Sequence, residues 1–256
     1  MNHTPLKKTS PHKSITYLKT ILRTDTPVHV MLLHDGFLDG ALIKDKHRVF
    51  SHTSAISVYN FWDCLSKEPK KLYDMVVNLD TTSAREPEKS YGFFRDSWNK
   101  RSNVYMRAAL FFIVSISSEE GTISSGKIEQ NAAKKFLFGK LRAFRPSDRW
   151  FPTYHHEMSI VGQVETIPKT HQIVIPAGTY DYDFLSPSKR YGVEQTPIVH
   201  KDLRELFYKS DNVILTYFYH PELLELYDRE CVTMIDENGN ITTDNAQCKE
   251  LVIAKL

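Results

Sequence analysis

The most basic stretch of the sequence is KKFLFGKLRAFRPSDRWF, at positions 134–151. Its cations alternate with aromatic residues, and Asp148 is the one acid among them. Basic side chains bind phosphates with release of counterions, and aromatic rings stack on exposed bases. The segment therefore predicts a nucleic-acid surface, with these basic residues as its contacts: Lys134, Lys135, Lys140, Arg142 and Arg145. The alternative is an amphipathic helix whose Phe residues lie in the core and whose cations are solvated.

Two other groups of residues suggest chemistry less strongly. His155, His156 and Glu157 are adjacent, but neighbouring side chains on a strand point to opposite faces, and there is no HxxxH pair for a helical metal site. We therefore expect no bound metal. Asp181 and Asp183 would share one face of a strand, although the turn residues around them favour a solvated loop.

Composition limits the class of protein. The chain has 256 residues, is 41% hydrophobic and 25% charged, and carries a net charge of +2. These values are typical of a globular protein and exclude a disordered chain or a membrane bundle. The longest apolar run, 108–114, is too short to span a bilayer. The cysteines Cys64, Cys231 and Cys248 are widely spaced, which predicts reduced thiols and a cytoplasmic location.

Hydrophobic patterning predicts the elements that position these residues. Residues 1–14 are polar and predict a flexible basic arm. Compact apolar runs predict buried strands at 28–33, 48–50, 172–175 and 212–215, and a C-terminal hairpin built from 231–235 and 250–254. Helical periodicity predicts helices at 15–22, 55–65, 69–79, 93–100, 104–114, 128–144, 203–208 and 221–227. Strands that alternate with helices indicate an α/β fold.

Several stretches carry a family resemblance: VHVMLLHDGFLDGAL at 28–42, SVYN at 57–60, FRDSWN at 94–99 with MRAALFF at 106–112, NVILTYFY at 212–219, and KELVI at 249–253. Their order resembles the Dam-type family of N6-adenine DNA methyltransferases. The resemblance implies a Rossmann-like methyltransferase sheet that is mostly parallel, with an antiparallel C-terminal hairpin. It also implies an α/β core at 15–84 and 151–256, with strands 28–33 and 212–215 side by side, and a helical insertion at 85–150 that resembles a DNA-recognition domain.

The family's functional groups are degenerate at the matching positions. The cofactor loop of the family would correspond to 34–40, where His34, Asp35, Gly36 and Gly40 remain beside bulky residues. The carboxylate after the second strand would fall within 51–53 (SHT), which has none. The Asp-Pro-Pro-Tyr position holds Thr216, Tyr217, Phe218 and Tyr219, so neither the acid nor the prolines are present.

Three functional hypotheses follow from this resemblance. The first is a methyltransferase-like pseudoenzyme that has lost catalysis and S-adenosyl-L-methionine (AdoMet) binding, and that binds DNA or a protein partner. The second is an active but divergent AdoMet-dependent DNA adenine methyltransferase. The third is a structural protein of a bacteriophage virion. The first and second predict a protein of the cytoplasm, which for a phage gene is that of the host cell. None of the three involves a membrane or a metal.

Overall fold

The structure is a computed structural model, and it describes residues 4–6, 11–83, 87–97, 100–118, 128, 132–156, 158–180 and 198–255. In this part of the chain an eight-stranded sheet lies between two layers of helices. The strands are β1 (Val28–Val30), β2 (Val49–Thr53), β3 (Trp150–Tyr154), β4 (Gln172–Gly178), β5 (Val213–Phe218), β6 (Val232–Asp236), β7 (Ile241–Thr242) and β8 (Cys248–Ile253).

The helices fill the connections between strands. They are α1 (Ile15–Ile21), α2 (Phe37–Lys44), α3 (Ile56–Lys67), α4 (Pro69–Ser83), α5 (Pro87–Ser97), α6 (Val104–Ser117), α7 (Ala132–Ala143), α8 (Ile160–Glu165), α9 (His200–Lys209) and α10 (Leu223–Leu226). Most of the predicted helices are confirmed within a few residues, whereas α2 and α8 were not predicted. The possible carboxylate pair Asp181 and Asp183 lies outside the described residues.

The sheet order is β3-β2-β1-β4-β5-β8-β6-β7. Strands β3, β2, β1, β4 and β5 are parallel to one another, while β8 runs antiparallel between β5 and β6. The mostly parallel α/β architecture is therefore confirmed and is compatible with a Rossmann-like fold. The prediction that strands 28–33 and 212–215 lie side by side was wrong, because β4 lies between β1 and β5. The turn at Asn238-Gly239 joins β6 to the short β7, and β8 then returns to the middle of the antiparallel part.

Two hydrophobic clusters cover the two faces of the sheet. One combines Val28, Val30 and Val49 with helices α1 to α7, and the other combines Met31, Ile173 and the residues around α8 and α9. Residues 108–116 of helix α6 are buried, and the helix packs against α3 and α4. The helices of the predicted insertion thus share one core with the first half of the sheet. A division of the chain into separate domains stays a prediction.

The N-terminal segment is fixed to the sheet by a buried carboxylate. Glu250 on β8 is 1% exposed, and its two oxygens accept hydrogen bonds from the backbone N–H groups of His12, Lys13 and Ser14 at 2.8–2.9 Å. Thr4 and Leu6 are buried as well. These described parts of the predicted flexible arm are therefore packed, because a buried carboxylate needs donors and the first turn before α1 supplies them.

The contacts of Glu250 predict a stability change. Hydrogen bonds to a charged group contribute about 1.5–3 kcal/mol each and are not additive. We expect Glu250→Ala to lower the free energy of unfolding by about 3 kcal/mol, and Glu250→Gln to lower it by less, because Gln keeps one acceptor oxygen. Urea denaturation measures both. The exposed Glu230→Ala is the control and should change stability by less than about 0.5 kcal/mol; equal effects of the two Ala variants would contradict this account.

Candidate functional site

The topology places a crevice between β1 and β4. The chain leaves β1 for α2 on one face of the sheet, and after β4 it reaches α9 on the other face. Where the connections of two neighbouring parallel strands diverge in this way, α/β proteins bind their ligands at the carboxyl ends of those strands. Leu33, His34 and Asp35 follow β1 here, and Thr179 and Tyr180 follow β4.

The turn after β1 has an unusual backbone. Leu32 has φ 58° and Gly36 has φ 66°, both in the left-handed region. Glycine adopts that conformation freely, whereas for a residue as bulky as Leu it is rare and costs about 1–2 kcal/mol. The turn is held on both sides: Trp62 Nε1 donates to the carbonyl of His34 at 2.9 Å, and the backbone N–H of Phe37 donates to Asp35 Oδ1 at 2.8 Å. The surrounding core therefore fixes this strained turn.

The described residues at this edge do not fit AdoMet. The Thr4 hydroxyl donates to the carbonyl of Asp35, so the N-terminal segment covers the turn. Asp35 is 2% exposed, and its carboxylate already accepts from Phe37. Gly40, predicted to lie in a cofactor loop, is a residue of α2, because that helix begins at Phe37. At the end of β2 the sequence of residues 51–53 offers no carboxylate for a ribose.

The stretch 216–219 lies away from the crevice. Thr216, Tyr217 and Phe218 belong to β5, which is separated from β1 by β4, and Tyr219 follows them. The Thr216 side chain is 1% exposed and that of Tyr217 is fully buried, so neither faces an open cleft. The alignment of this stretch with a catalytic loop beside β1 is therefore corrected.

Aromatic rings pack at the carboxyl ends of β4 and β5. Tyr180 is 5% exposed, and its ring centroid lies 4.8 Å from that of His200 and 5.1 Å from that of His220. His200 Nδ1 lies 3.2 Å from the hydroxyl of Tyr217. Burial raises the pKa of the nearby Tyr227 hydroxyl, so that Tyr227 stays neutral. This cluster was missed from the sequence, because its members come from four separate segments.

A buried carboxyl group is connected to β2 and β3. Asp39 on α2 accepts a hydrogen bond from the Ser51 hydroxyl on β2, and Ser51 Oγ accepts from Trp150 Nε1 on β3 at 2.7 Å. Burial raises the pKa of Asp39 to about 6, and the charge of Asp35 adds to the effect, while the bond from Ser51 opposes it. The spacing of these residues gave no signal for this chain of hydrogen bonds.

Four histidines lie in a row on the sheet face opposite α2. The ring nitrogens of His171 and His29 are 2.9 Å apart, those of His29 and His52 2.8 Å, and those of His52 and His155 2.7 Å. Only the pair of adjacent histidines at 155 and 156 was noticed in the sequence. The signal that was overlooked is a histidine within the apolar patterns of both β1 and β2.

The structure buries one cation of the basic segment and exposes most of the others. Lys134 is 6% exposed and forms an ion pair with Asp80 on α4, so the structure removes it from the predicted nucleic-acid surface. Lys135, Arg142 and Arg145 are exposed, and Lys140 is partly exposed. Phe136 is 63% exposed, and the Nζ atom of Lys140 lies 4.5 Å from its ring centroid. Phe144 is fully buried, as the alternative of an amphipathic helix with Phe residues in the core predicts.

Lys140 also borders a groove between α1 and α2. The cavity there has a volume of about 310 Å³, and its lining includes Thr16 and Lys19 of α1 and Gly40 and Lys44 of α2. Lys19 Nζ lies 3.5 Å from Asp45. Because Lys140 belongs to both features, the groove adjoins the exposed side of α7. We call Lys19, Lys44, Lys135, Phe136, Lys140, Arg142 and Arg145 the α7 surface.

Comparisons with known proteins add no assignment. No protein-family model matches the sequence, and neither does any curated protein. Within the described residues there is no cluster of three or more His, Cys, Asp or Glu side chains arranged to hold a metal ion. None of the described helices has the length and apolar composition that a bilayer span requires.

The buried carboxyl of Asp39 predicts a pH effect. Its pKa in the folded state, about 6, lies above the ordinary 3.8, so its contribution to stability is fully present below pH 3.8 and is lost as the pH rises through 6. Asp39→Asn keeps an acceptor for Ser51 and does not ionise. We expect this variant to gain up to about 3 kcal/mol over the natural protein between pH 4 and pH 7.5, as measured by urea unfolding. A difference that does not change with pH would contradict the assignment. Glu222→Gln serves as the control.

Proposed function

We propose that this protein is a methyltransferase-like α/β protein that binds DNA through the α7 surface and does not catalyse methyl transfer. The observation that carries the proposal is Phe136, a large aromatic side chain that is 63% exposed and lies under the ammonium group of Lys140. An exposed aromatic ring among cations combines the two contacts that single-stranded nucleic acid offers, a base to stack on and a phosphate to neutralise.

The charges of the α7 surface support this proposal. Lys135 and Arg142 are seven residues apart on α7, so they lie on the same side of the helix. Arg145 follows the helix, and its guanidinium donates to the carbonyl of Phe144 at 2.8 Å, which fixes the group near the helix end. Lys44 adds positive charge along the groove, where Lys19 is paired with Asp45. The net charge of +2 is small, so the cations of this face act as a local patch.

The scaffold supports the methyltransferase part of the proposal in two ways. The order β3-β2-β1-β4-β5 is the order of a doubly wound nucleotide-binding sheet, with the antiparallel β8 inserted next to β5. The described residues after β1 are covered by the N-terminal segment and lack free carboxylates, which supports loss of cofactor binding. Both observations agree with the resemblance of the sequence to the Dam-type family.

A binding titration at several salt concentrations tests the DNA hypothesis. The logarithm of the affinity should fall linearly with the logarithm of the salt concentration, by about 0.9 for each neutralised phosphate of duplex DNA and about 0.7 for single strands. We expect the variant K135A/K140A/R142A/R145A to reduce the slope on duplex DNA by up to about 3.6. Phe136→Ala should weaken binding to single strands by about 1–3 kcal/mol and affect duplex DNA less.

The matched control removes the same charge elsewhere. Lys201 and Lys209 are exposed on α9, Arg229 is exposed in the short 3-10 turn before β6, and Lys249 is exposed on β8. Their replacement by Ala should leave the slope unchanged. Equal losses in both quadruple variants would mean that DNA responds only to net charge. The absence of any salt-dependent affinity would overturn the DNA hypothesis and favour a protein partner.

A separate measurement tests the loss of cofactor binding. A ligand that binds only the folded state raises its stability by mass action, by about 2.7 kcal/mol at a hundredfold excess over Kd. We expect millimolar AdoMet to leave the melting temperature unchanged. A saturable increase, together with heat of binding in calorimetry, would support the active methyltransferase instead.

A further inference from the structure

The row of four histidines is produced by the register of parallel strands. His29 pairs with Phe50 on β2 and with Ile173 on β4. His52 lies two residues after Phe50, and His171 lies two residues before Ile173, so both are diagonal neighbours of His29 on the same face. His155 is related to His52 in the same way, because His52 pairs with Thr153. Side chains at diagonal positions are close enough for imidazole rings to meet.

The row runs diagonally across one face of the sheet, from the amino ends of the strands to their carboxyl ends. His155 directly follows β3 at the carboxyl edge, where α/β proteins bind ligands, and His171 directly precedes β4 at the opposite edge. The inner residues His29 and His52 are buried, at 7% and 5% exposure, while the outer two are partly exposed. A buried interior with ends that reach solvent is the geometry that a proton path along this face of the sheet requires.

The spacing of the nitrogens indicates shared protons. Two imidazole nitrogens on one tetrahedral zinc ion, with Zn–N bonds of 2.0–2.1 Å, are about 3.3 Å apart. The observed separations of 2.7–2.9 Å are those of hydrogen bonds. A proton, and not a metal ion, therefore fits between each pair of rings.

Burial keeps the inner rings neutral. Burial, with a smaller effect of the neighbouring histidines, lowers the pKa of His29 to about 4 and that of His52 to about 3. Burial also lowers the pKa of His155. On the same face the guanidinium of Arg48 lies over the rings of Phe50 and Phe151, at 5.1 and 4.9 Å from their centroids. The Phe50 ring, in turn, stacks on His29 at 4.9 Å.

Neutral imidazoles in such a row must all have the same tautomer. Each bridge joins Nδ1 of one ring to Nε2 of the next, and each neutral ring carries one N–H. If His155 donates from Nε2, then His52 and His29 donate from Nε2 as well, and His171 accepts at Nδ1. In the alternative state every ring carries its proton on Nδ1 and the direction of all three hydrogen bonds is reversed.

We propose that His155, His52, His29 and His171 form a proton relay across the sheet, independent of the DNA-binding function. A proton that binds Nδ1 of His155 makes that ring cationic, and its Nε2 proton then moves to Nδ1 of His52. The Nε2 proton of His52 moves to Nδ1 of His29, the Nε2 proton of His29 moves to Nδ1 of His171, and Nε2 of His171 releases its proton. One proton enters, one leaves, and the row changes from the Nε2–H to the Nδ1–H state.

The row can hold one extra proton without losing a bridge. Four neutral rings carry four protons, of which three lie in bridges and one lies at an end. A fifth proton occupies the other end, so each bridge still contains one proton. A sixth would place two N–H groups face to face in one bridge. The transfer step therefore passes through a singly charged row whose hydrogen bonds remain intact.

The natural protein provides the first test. With ¹⁵N-labelled histidine, NMR scalar couplings between nitrogens should be detected across all three bridges. The ¹⁵N shifts of His29, His52 and His155 should report one common exchange rate in relaxation dispersion. Absence of the couplings, or three unrelated exchange rates, would overturn the relay without any variant.

Two substitutions of His171, at one end of the row, provide a sharper test that is read at His155, at the other end. At pH 8, the side chain of His171→Lys can only donate to His29, which requires the Nδ1–H tautomer along the row. The carboxylate of His171→Glu can only accept, which requires the Nε2–H tautomer. We expect the tautomer of His155 to reverse between the two variants, while His220, outside the row, keeps its ¹⁵N shifts.

Breaking the middle of the row should abolish this dependence. His29→Phe retains a ring that can stack on Phe50 but has no nitrogen. In this background we expect the tautomer of His155 to be the same with Lys or Glu at position 171. A reversal that persists after His29→Phe would show a through-space effect of charge and would overturn the relay, as would identical His155 tautomers in the two single variants.

Discussion

The register between parallel strands is the constraint on which the rest of this structure depends. Four parallel pairings fix the order β3-β2-β1-β4-β5 and determine which side chains meet across strands. A shift of one residue in β1 would move His29 to the other face of the sheet and Val30 out of its core. Both the histidine row and the crevice beside β1 therefore depend on backbone hydrogen bonds in the centre of the molecule.

The two faces of the sheet carry different groups of polar side chains. The face that carries helices α1 to α7 contains the larger hydrophobic cluster, and its outer surface bears the cations of α7 together with Lys19 and Lys44. The opposite face carries the histidine row and the second cluster, around α8 and α9. The proposed DNA-binding surface and the proposed proton path lie on opposite sides of one sheet and share no residues, so each can be tested independently of the other.

At the carboxyl end of β1, the turn has a strained backbone and is contacted by the N-terminal segment. Leu32 adopts a left-handed backbone, the hydroxyl of Thr4 donates to the carbonyl of the buried Asp35, and Glu250 accepts from the backbone of residues 12–14. Such strain persists where the surrounding core determines the backbone completely. The Asp35 carbonyl after β1 is in this way bonded by the protein's own N-terminal segment, which gives the proposed loss of cofactor binding a physical basis.

The sequence by itself determined the α/β class, most of the helices and the buried strands, because apolar periodicity depends on local geometry that each segment carries within itself. It also located the exposed cations of α7. Strand order, the burial of Lys134 against Asp80, the position of Thr216 on β5 and the alignment of four histidines were decided only by the tertiary structure. The physical reason is that parallel strands pair across long connections, so residues such as His29 and His171 meet although 142 positions separate them.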